Sequence, residues 1–293
     1  MNAKLGPRGF LRTLVDPLDH VLGGGIRSGC ITEIVGPAGL GKTQFCLCMC
    51  VLGCLDRLDE KGRVLYIDTE KKFSGERLCE IGKSRFPESF AETGSVDEML
   101  RRVIVQVPSS SGNLLEILQV CKDTEIHVQH THVCFLVIEH LYNSGFVQDL
   151  QGAIIGLNIV LIIIDSIASL ARAEYGSHTI PERQKLLGRQ ASTLKSLAES
   201  FNIPILVTNQ ITTQFQDGKQ KLVAALGPMW AHAVNTRLEL SSGESGSRSL
   251  CLSKSSLAPS IRIPYKVTRK GLEVDSAFPC AIVDQGQGMQ GVM

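Results

Sequence analysis

The sequence predicts an α/β domain, a mainly parallel twisted sheet flanked by helices with antiparallel strands at its C-terminal edge, and three observations predict it. The first is a complete phosphate loop, Gly36-Pro37-Ala38-Gly39-Leu40-Gly41-Lys42-Thr43, set between an apolar strand-like run at 30–35 and a helical run at 44–55. The second is a branched-aliphatic run at 160–164 that closes on Asp165-Ser166. A strand apolar at every position is buried on both faces, as in parallel sheets, and its carboxylate then falls at the carboxyl edge beside the phosphate loop. The third is the late succession of a hairpin turn at 241–247 and strands at 250–253 and 262–268.

Composition narrows the function classes. A chain of 293 residues with 43% hydrophobic content can bury a substantial core, and one large domain accounts for it best. The formal charge of +1 supplies no overall field for nucleic acid, so any such contact must come from local basic loops. Ten cysteines without a secretory leader at 1–10 point to a reduced compartment. Cys46, Cys50 and Cys54 follow helical spacing and read as small core residues. The longest apolar run, 153–164, is broken by Gly156 and Asn158 and is too short to span a membrane, so a soluble protein with no membrane partner is expected.

The elements follow in order. Residues 1–13 read as a linker or loose N-terminal arm, and 14–22 carry apolar residues at helical spacing, ended by Gly23-Gly24-Gly25. Ile26 to Gly29 turn the chain into the first core strand. In the phosphate loop, Gly36, Gly39 and Gly41 let backbone amides turn inward around an anion, with Pro37, Ala38 and Leu40 between them and Gln44 opening the helix behind. Lys42 would bind β- and γ-phosphates, Thr43 would offer its hydroxyl to Mg²⁺, and Asp165 would complete the metal site through a water. A strand at 62–67 leads to Asp68-Thr69-Glu70, a helix opens near 73–78, another strand covers 102–107, and a helix starts at 109–119. A lone glutamate at a strand end is ordinarily solvated, so spacing alone gives Glu70 no role.

Read from Leu18 to Gln44, L-D-x-x-L-G-G-G-I-x-x-G-x-x-T-E-I-x-G-x-x-G-x-G-K-T-Q resembles the core of the RecA-like recombinases of eukaryotes and archaea. Phe73-Ser74-Gly75-Glu76-Arg77-Leu78 and Thr208-Asn209-Gln210 continue the match, which covers about 10–119 and 150–274. The resemblance implies a RecA-type P-loop NTPase core that uses ATP and Mg²⁺. It implies that Glu70 orients the attacking water, that Arg77 packs on the adenine, and that Gln210 senses the γ-phosphate and relays it to a DNA loop. It further implies a first DNA loop at 169–187, leading into a helix at 184–200, and a second at 211–226. Arg172, Arg183, Lys219 and Lys221 are the candidate contacts to single-stranded or branched DNA. A mixed-charge surface turn and a disordered hairpin are the plain alternatives for the two loops. Trp230 reads as buried.

Three departures refine the resemblance. The family's small N-terminal helical domain has no counterpart here. Residues 120–149 match nothing in the family and read as an atypical insertion. They hold His127, His130, His132 and His140 with Cys121 and Cys134, a set conceivable for zinc but not at a standard spacing. Third, Lys254-Ser255-Ser256-Leu257-Ala258-Pro259 fills the stretch that caps a neighbouring subunit's ATP, with Lys254 where strand-exchanging members carry aspartate. With Ser84-Arg85-Phe86-Pro87, this makes the chain most similar to the B-type paralogue branch, whose members act in small heteromeric complexes in the nucleus. Lys254 and Pro259 are then inter-subunit cap residues, or Lys254 is a plain surface lysine.

The expected function is a weakly turning over, DNA-stimulated, Mg²⁺-dependent ATPase that assists homologous recombination repair of double-strand breaks. The alternative is a nucleotide-gated scaffold with little hydrolysis of its own. A ring-forming helicase or clock-type ATPase with the same core fits the combined motifs less well. Residues 281–293, rich in Gly and Gln, are expected to be a disordered tail.

Overall fold

The computed structural model describes residues 9–56, 62–119, 157–175, 180–216, 219–224, 226–243 and 246–282. Among them a ten-stranded sheet runs in the order β13 (Gly271–Val274), β12 (Ile261–Thr268), β11 (Arg248–Lys254), β10 (Thr236–Ser242), β3 (Ile31–Val35), β7 (Ile205–Asn209), β6 (Ile159–Asp165), β4 (Arg63–Asp68), β5 (Val103–Gln106), with β14 (Ala281–Ile282) on β12. From β10 to β5 every pairing is parallel, and from β10 outward through β11, β12 and β13 every pairing is antiparallel. This is the fold class the sequence predicts, a RecA-type α/β core.

The central strands are apolar throughout because helices cover both faces. Along β6, Leu161 and Ile163 join one core cluster while Ile162 and Ile164 join the other, the period of two that a pleated strand imposes. The first cluster is completed by α1 (Asp16–Val21), α2 (Lys42–Asp56), α3 (Gly75–Arg85) and α4 (Ser95–Arg101). The second is completed by α5 (Ser111–Gln119), α6 (Ile167–Glu174), α7 (Ile180–Phe201) and α8 (Gly227–Ala233). Each fully buried Leu or Ile contributes about 1.5–3 kcal/mol. Cys46, Cys48, Cys50 and Cys54 are all buried on α2, and burial pushes the Cys46 and Cys50 thiols well up, as befits inert core residues.

Several boundaries differ from the sequence reading. Residues 9–13 are folded rather than a loose arm: β1 (Phe10–Leu11) pairs with β2 (Ile26–Arg27), and the buried Asp19 carboxylate accepts from the Thr13 amide and hydroxyl at 2.9 and 2.7 Å. A two-residue strand is too short to show periodicity. Residues 169–174, expected as part of a loop, are helical in α6, because Ile167, Ala168 and Ala171 find burial against the second cluster. The expected loop at 211–226 is largely a two-stranded hairpin, β8 (Ile211–Gln216) with β9 (Lys219–Ala224), formed by a β-branched run that reads as polar loop only by its glutamines. Ala281 and Ile282 pair with Arg262 and Ile261, so the expected tail is strand at its first two residues. The segment 120–149, with its histidines, Cys121 and Cys134, lies outside the described residues, as do 283–293.

Candidate functional site

The carboxyl ends of β3, β4, β6 and β7 converge on one cleft of about 400 Å³, as crevices at the carboxyl edge of parallel sheets do. It is lined by the phosphate-loop residues Gly36, Pro37, Ala38, Gly39, Gly41, Lys42 and Thr43, with Gln44, and from the facing elements by Glu70, Lys72, Asp165, Ser166, Thr208, Gln210 and Ile211. Residues far apart in sequence meet here: Thr43 and Asp165 across 122 positions, Glu70 and Gln210 across 140.

The loop is shaped by backbone that side chains would obstruct. At Gly36 a Cβ would lie 2.7 Å from the Leu240 carbonyl oxygen, and at Gly41, with φ of +100°, it would press on Val267 at 3.1 Å. Leu40, expected among the binding residues, turns its side chain into the core, and its carbonyl accepts the Tyr265 hydroxyl at 2.5 Å. Lys42 Nζ lies across the concavity, donating to the Gly36 and Pro37 carbonyls at 2.7 and 2.9 Å. Its burial lowers the ammonium's pKa, and the Asp165 and Glu70 carboxylates oppose that shift.

Asp165 sits in a ring of hydroxyls. Oδ2 accepts from Thr43 Oγ1 at 2.7 Å and from Tyr66 at 3.0 Å, and Oδ1 accepts from Thr208 at 2.5 Å. The Thr43 hydroxyl and the Asp165 carboxylate are a hard-oxygen pair of the kind Mg²⁺ takes, one or two protein oxygens plus waters and phosphate. The loop concavity with its lysine fits a polyphosphate, so the residues present suit a Mg²⁺-nucleotide.

Glu70, on the same cleft as Lys42, has a donor on each carboxylate oxygen. Its Oε1 accepts from Ser166 Oγ and from Gln210 Nε2, each at 3.0 Å, and its Oε2 accepts from Lys72. Burial pushes its pKa up, but these donors outweigh it and hold the carboxyl below its ordinary value. Gln210 Oε1 accepts in turn from Arg172 Nη1 at 2.7 Å, so a candidate DNA contact and the candidate phosphate sensor touch.

The remaining expected residues are placed as follows. Arg77 Nε donates to Gln44 Oε1 at 2.8 Å and its Nη2 to the Thr268 carbonyl at 2.5 Å, beside the loop but not on the cleft. Arg183 lies on α7, and its Nε is enclosed without a hydrogen-bond partner among the described residues. Lys219 and Lys221 stand on β9 in register with Gln216 and Gln214. Lys254 is half-buried; its ammonium donates to the Ala231 and Val234 carbonyls at 2.7 and 2.5 Å, at the carboxyl end of α8 where a cation is favoured. It is thus held by its own chain, while Pro259 is exposed.

Tyr66, Thr208, Tyr265 and Lys72 were not singled out from sequence, nor was Glu33. Glu33 is wholly buried in β3 and accepts from Trp230 Nε1 and Asn209 Nδ2 at 2.7 Å and from Arg237 Nε at 2.6 Å. A carboxylate inside an apolar strand was the available signal, since a buried charge needs partners.

A family model described as Rad51 matches residues 10–105 and 125–275, so it takes in most of the stretch that the sequence reading sets apart as an insertion. DNA repair protein RAD51 homolog 2 of Homo sapiens is 35% identical over 300 residues, covering 93% of this chain and 71% of its own length. The Arabidopsis thaliana protein of the same name is 35% identical over 294 residues, covering 91% and 70%. DNA repair and recombination protein RadA of Cenarchaeum symbiosum is 34% identical over 208 residues, covering 70% and 43%. No helix among the described residues is long and apolar enough to cross a membrane.

Proposed function

The chain belongs to the Rad51 family, and from that premise we propose that it is a Mg²⁺-dependent ATPase, stimulated by DNA, that assists homologous recombination repair of double-strand breaks. The observation that carries this reading is the meeting of Thr43 and Asp165 at 2.7 Å beneath the phosphate loop, with Glu70 across the same cleft. Its relatives' names place them in DNA repair and recombination, which supports a nuclear role alongside related chains in a heteromeric complex.

In-line phosphoryl transfer asks a protein mainly for positioning and charge neutralisation. The loop amides and Lys42 would bind the phosphates of ATP, Arg77 would border the adenine, and Thr43 with Asp165 would hold Mg²⁺, which would supply charge neutralisation. Tyr66 and Thr208 fix the Asp165 carboxylate so that it need not reorganise. Glu70 takes a proton from water as the water oxygen bonds to the γ-phosphorus and the bond to the bridging oxygen breaks, releasing ADP and phosphate. Gln210 hydrogen-bonds both Glu70 and Arg172, and so ties the hydrolytic end of the cleft to an element of the first DNA-facing segment. Arg172, Arg183, Lys219 and Lys221 face single-stranded or branched DNA in this reading.

The engagement of both Glu70 oxygens by Ser166, Gln210 and Lys72 favours one second reading, a nucleotide-gated scaffold in which bound ATP holds a partner interface and turnover is incidental. The first test is equilibrium binding of a fluorescent ATP analogue with Mg²⁺. Wild type binds saturably and Lys42→Ala loses that binding; wild-type affinity in Lys42→Ala refutes the phosphate-loop assignment. Phosphate release with and without single-stranded DNA, partner chains present, then separates the ATPase from the scaffold.

A further inference from the structure

Glu70 is followed by two lysines, and only the second faces the site. The chain reverses at Lys71, whose φ of 55° is left-handed, and the turn is clamped by the Asp68 carboxylate, which accepts from the Glu70 amide at 3.2 Å and the Phe73 amide at 2.7 Å. The Phe73 ring is fixed edge-on against buried Tyr66 at 4.9 Å. A held backbone therefore presents Lys72 to the cleft that Lys42, Glu70 and Gln210 also line.

The Lys72 side chain is 61% exposed, and its ammonium bonds the outer oxygen of Glu70, Oε2. Such a pair is weak, because solvent screens it and a long side chain must be ordered to make it. Oε1 is already filled by Ser166 and Gln210, so Oε2 is the oxygen left for a water, and Lys72 covers it. A terminal phosphate seated in this cleft would have Lys42, Glu70 and this ammonium on its walls. A triphosphate chain carries more charge than one bound Mg²⁺ cancels, and it offers a lysine a stronger partner than a screened carboxylate.

We propose that Lys72 is a second phosphate-binding cation of this site, which exchanges Glu70 Oε2 for the terminal phosphate of a bound nucleoside triphosphate. The exchange distinguishes triphosphate from diphosphate, because only the triphosphate carries the terminal group that Lys72 takes. It also uncovers Glu70 Oε2 only when a hydrolysable phosphate is present. Lys254, by contrast, has its ammonium tied to the carboxyl end of α8. The proposal rests on the nucleotide-site reading above.

The test is equilibrium binding of ATPγS and of ADP, each with Mg²⁺, to the full chain and to Lys72→Ala and Lys72→Arg. Expected is a loss of about ten-fold in ATPγS affinity for Lys72→Ala, with ADP affinity changed less than about two-fold and Lys72→Arg close to wild type. Equal losses for both nucleotides, or none, overturn the role of Lys72 and leave the nucleotide site standing. Failure of the wild-type chain to bind either nucleotide overturns both. Lys72 is mostly exposed, so the alanine variant is expected to fold; an unchanged melting temperature confirms that affinity is being compared between folded proteins.

Discussion

Thr43 at the start of α2 donates its hydroxyl to Asp165 at the end of β6 across 2.7 Å, joining the two halves of the motif pair before any metal is considered. If this is the Mg²⁺ site, Asp165→Asn keeps the side chain's shape and one acceptor oxygen, for Thr208 or for Tyr66 and Thr43, and removes the charge. Its ATP-analogue affinity is expected to become insensitive to added Mg²⁺, where wild type gains ten-fold or more, a range of about 1.4 kcal/mol. A magnesium titration of binding reads this directly, and an unchanged response would remove Asp165 from the metal site.

Glu70→Gln keeps the acceptor toward Ser166 and loses the base. Turnover with single-stranded DNA is expected to fall by about 10²–10⁴-fold with ATP affinity retained. Because its donors hold the Glu70 carboxyl below the ordinary value of 4.5, it stays charged as pH falls through 4.5. The sign follows: its contribution to stability is present above the unfolded value and is lost only as pH falls through the lower folded one. Lys72→Ala removes one donor and should shift that loss toward higher pH, measurable as the acid limb of a denaturation profile.

Arg237→Ala leaves Glu33, wholly buried, with only Trp230 and Asn209 as donors. Removing one partner of a buried pair costs about 3–5 kcal/mol. Urea unfolding of Arg237→Ala is expected to show a loss of that order, with Glu33→Gln less affected because it removes the charge rather than isolating it. Equal, small effects would mean that water replaces the guanidinium at β10.

Tyr265 on β12 braces the phosphate loop through the Leu40 carbonyl. Tyr265→Phe is expected to cost about 1 kcal/mol, read by denaturation, and to weaken ATP binding without abolishing it. Burial pushes the Tyr265 phenol up to about 12 from 10.0. Its contribution is therefore complete below pH 10 and is lost as pH rises through 12, so the gap in stability between wild type and Tyr265→Phe should close over that alkaline range. A gap that persists there would assign the effect to packing.

The sequence by itself determined the parallel core and the phosphate loop and marked Lys42, Thr43 and Asp165 as candidates for one site, because each is encoded within a few consecutive residues. A glycine pattern fixes backbone shape, and an unbroken aliphatic run admits only a strand buried on both faces. Only the tertiary structure decided that Tyr66 and Thr208 hold Asp165, that Tyr265 supports Leu40, that Lys254 is claimed by its own chain, and that Lys72 covers Glu70. All but the last are contacts between residues on different elements, and a hydroxyl or ammonium carries no mark of its partner along the chain. The helix that takes in 169–174 was hidden for the same reason: burial of Ile167, Ala168 and Ala171 by neighbouring elements, not local propensity, selected its form.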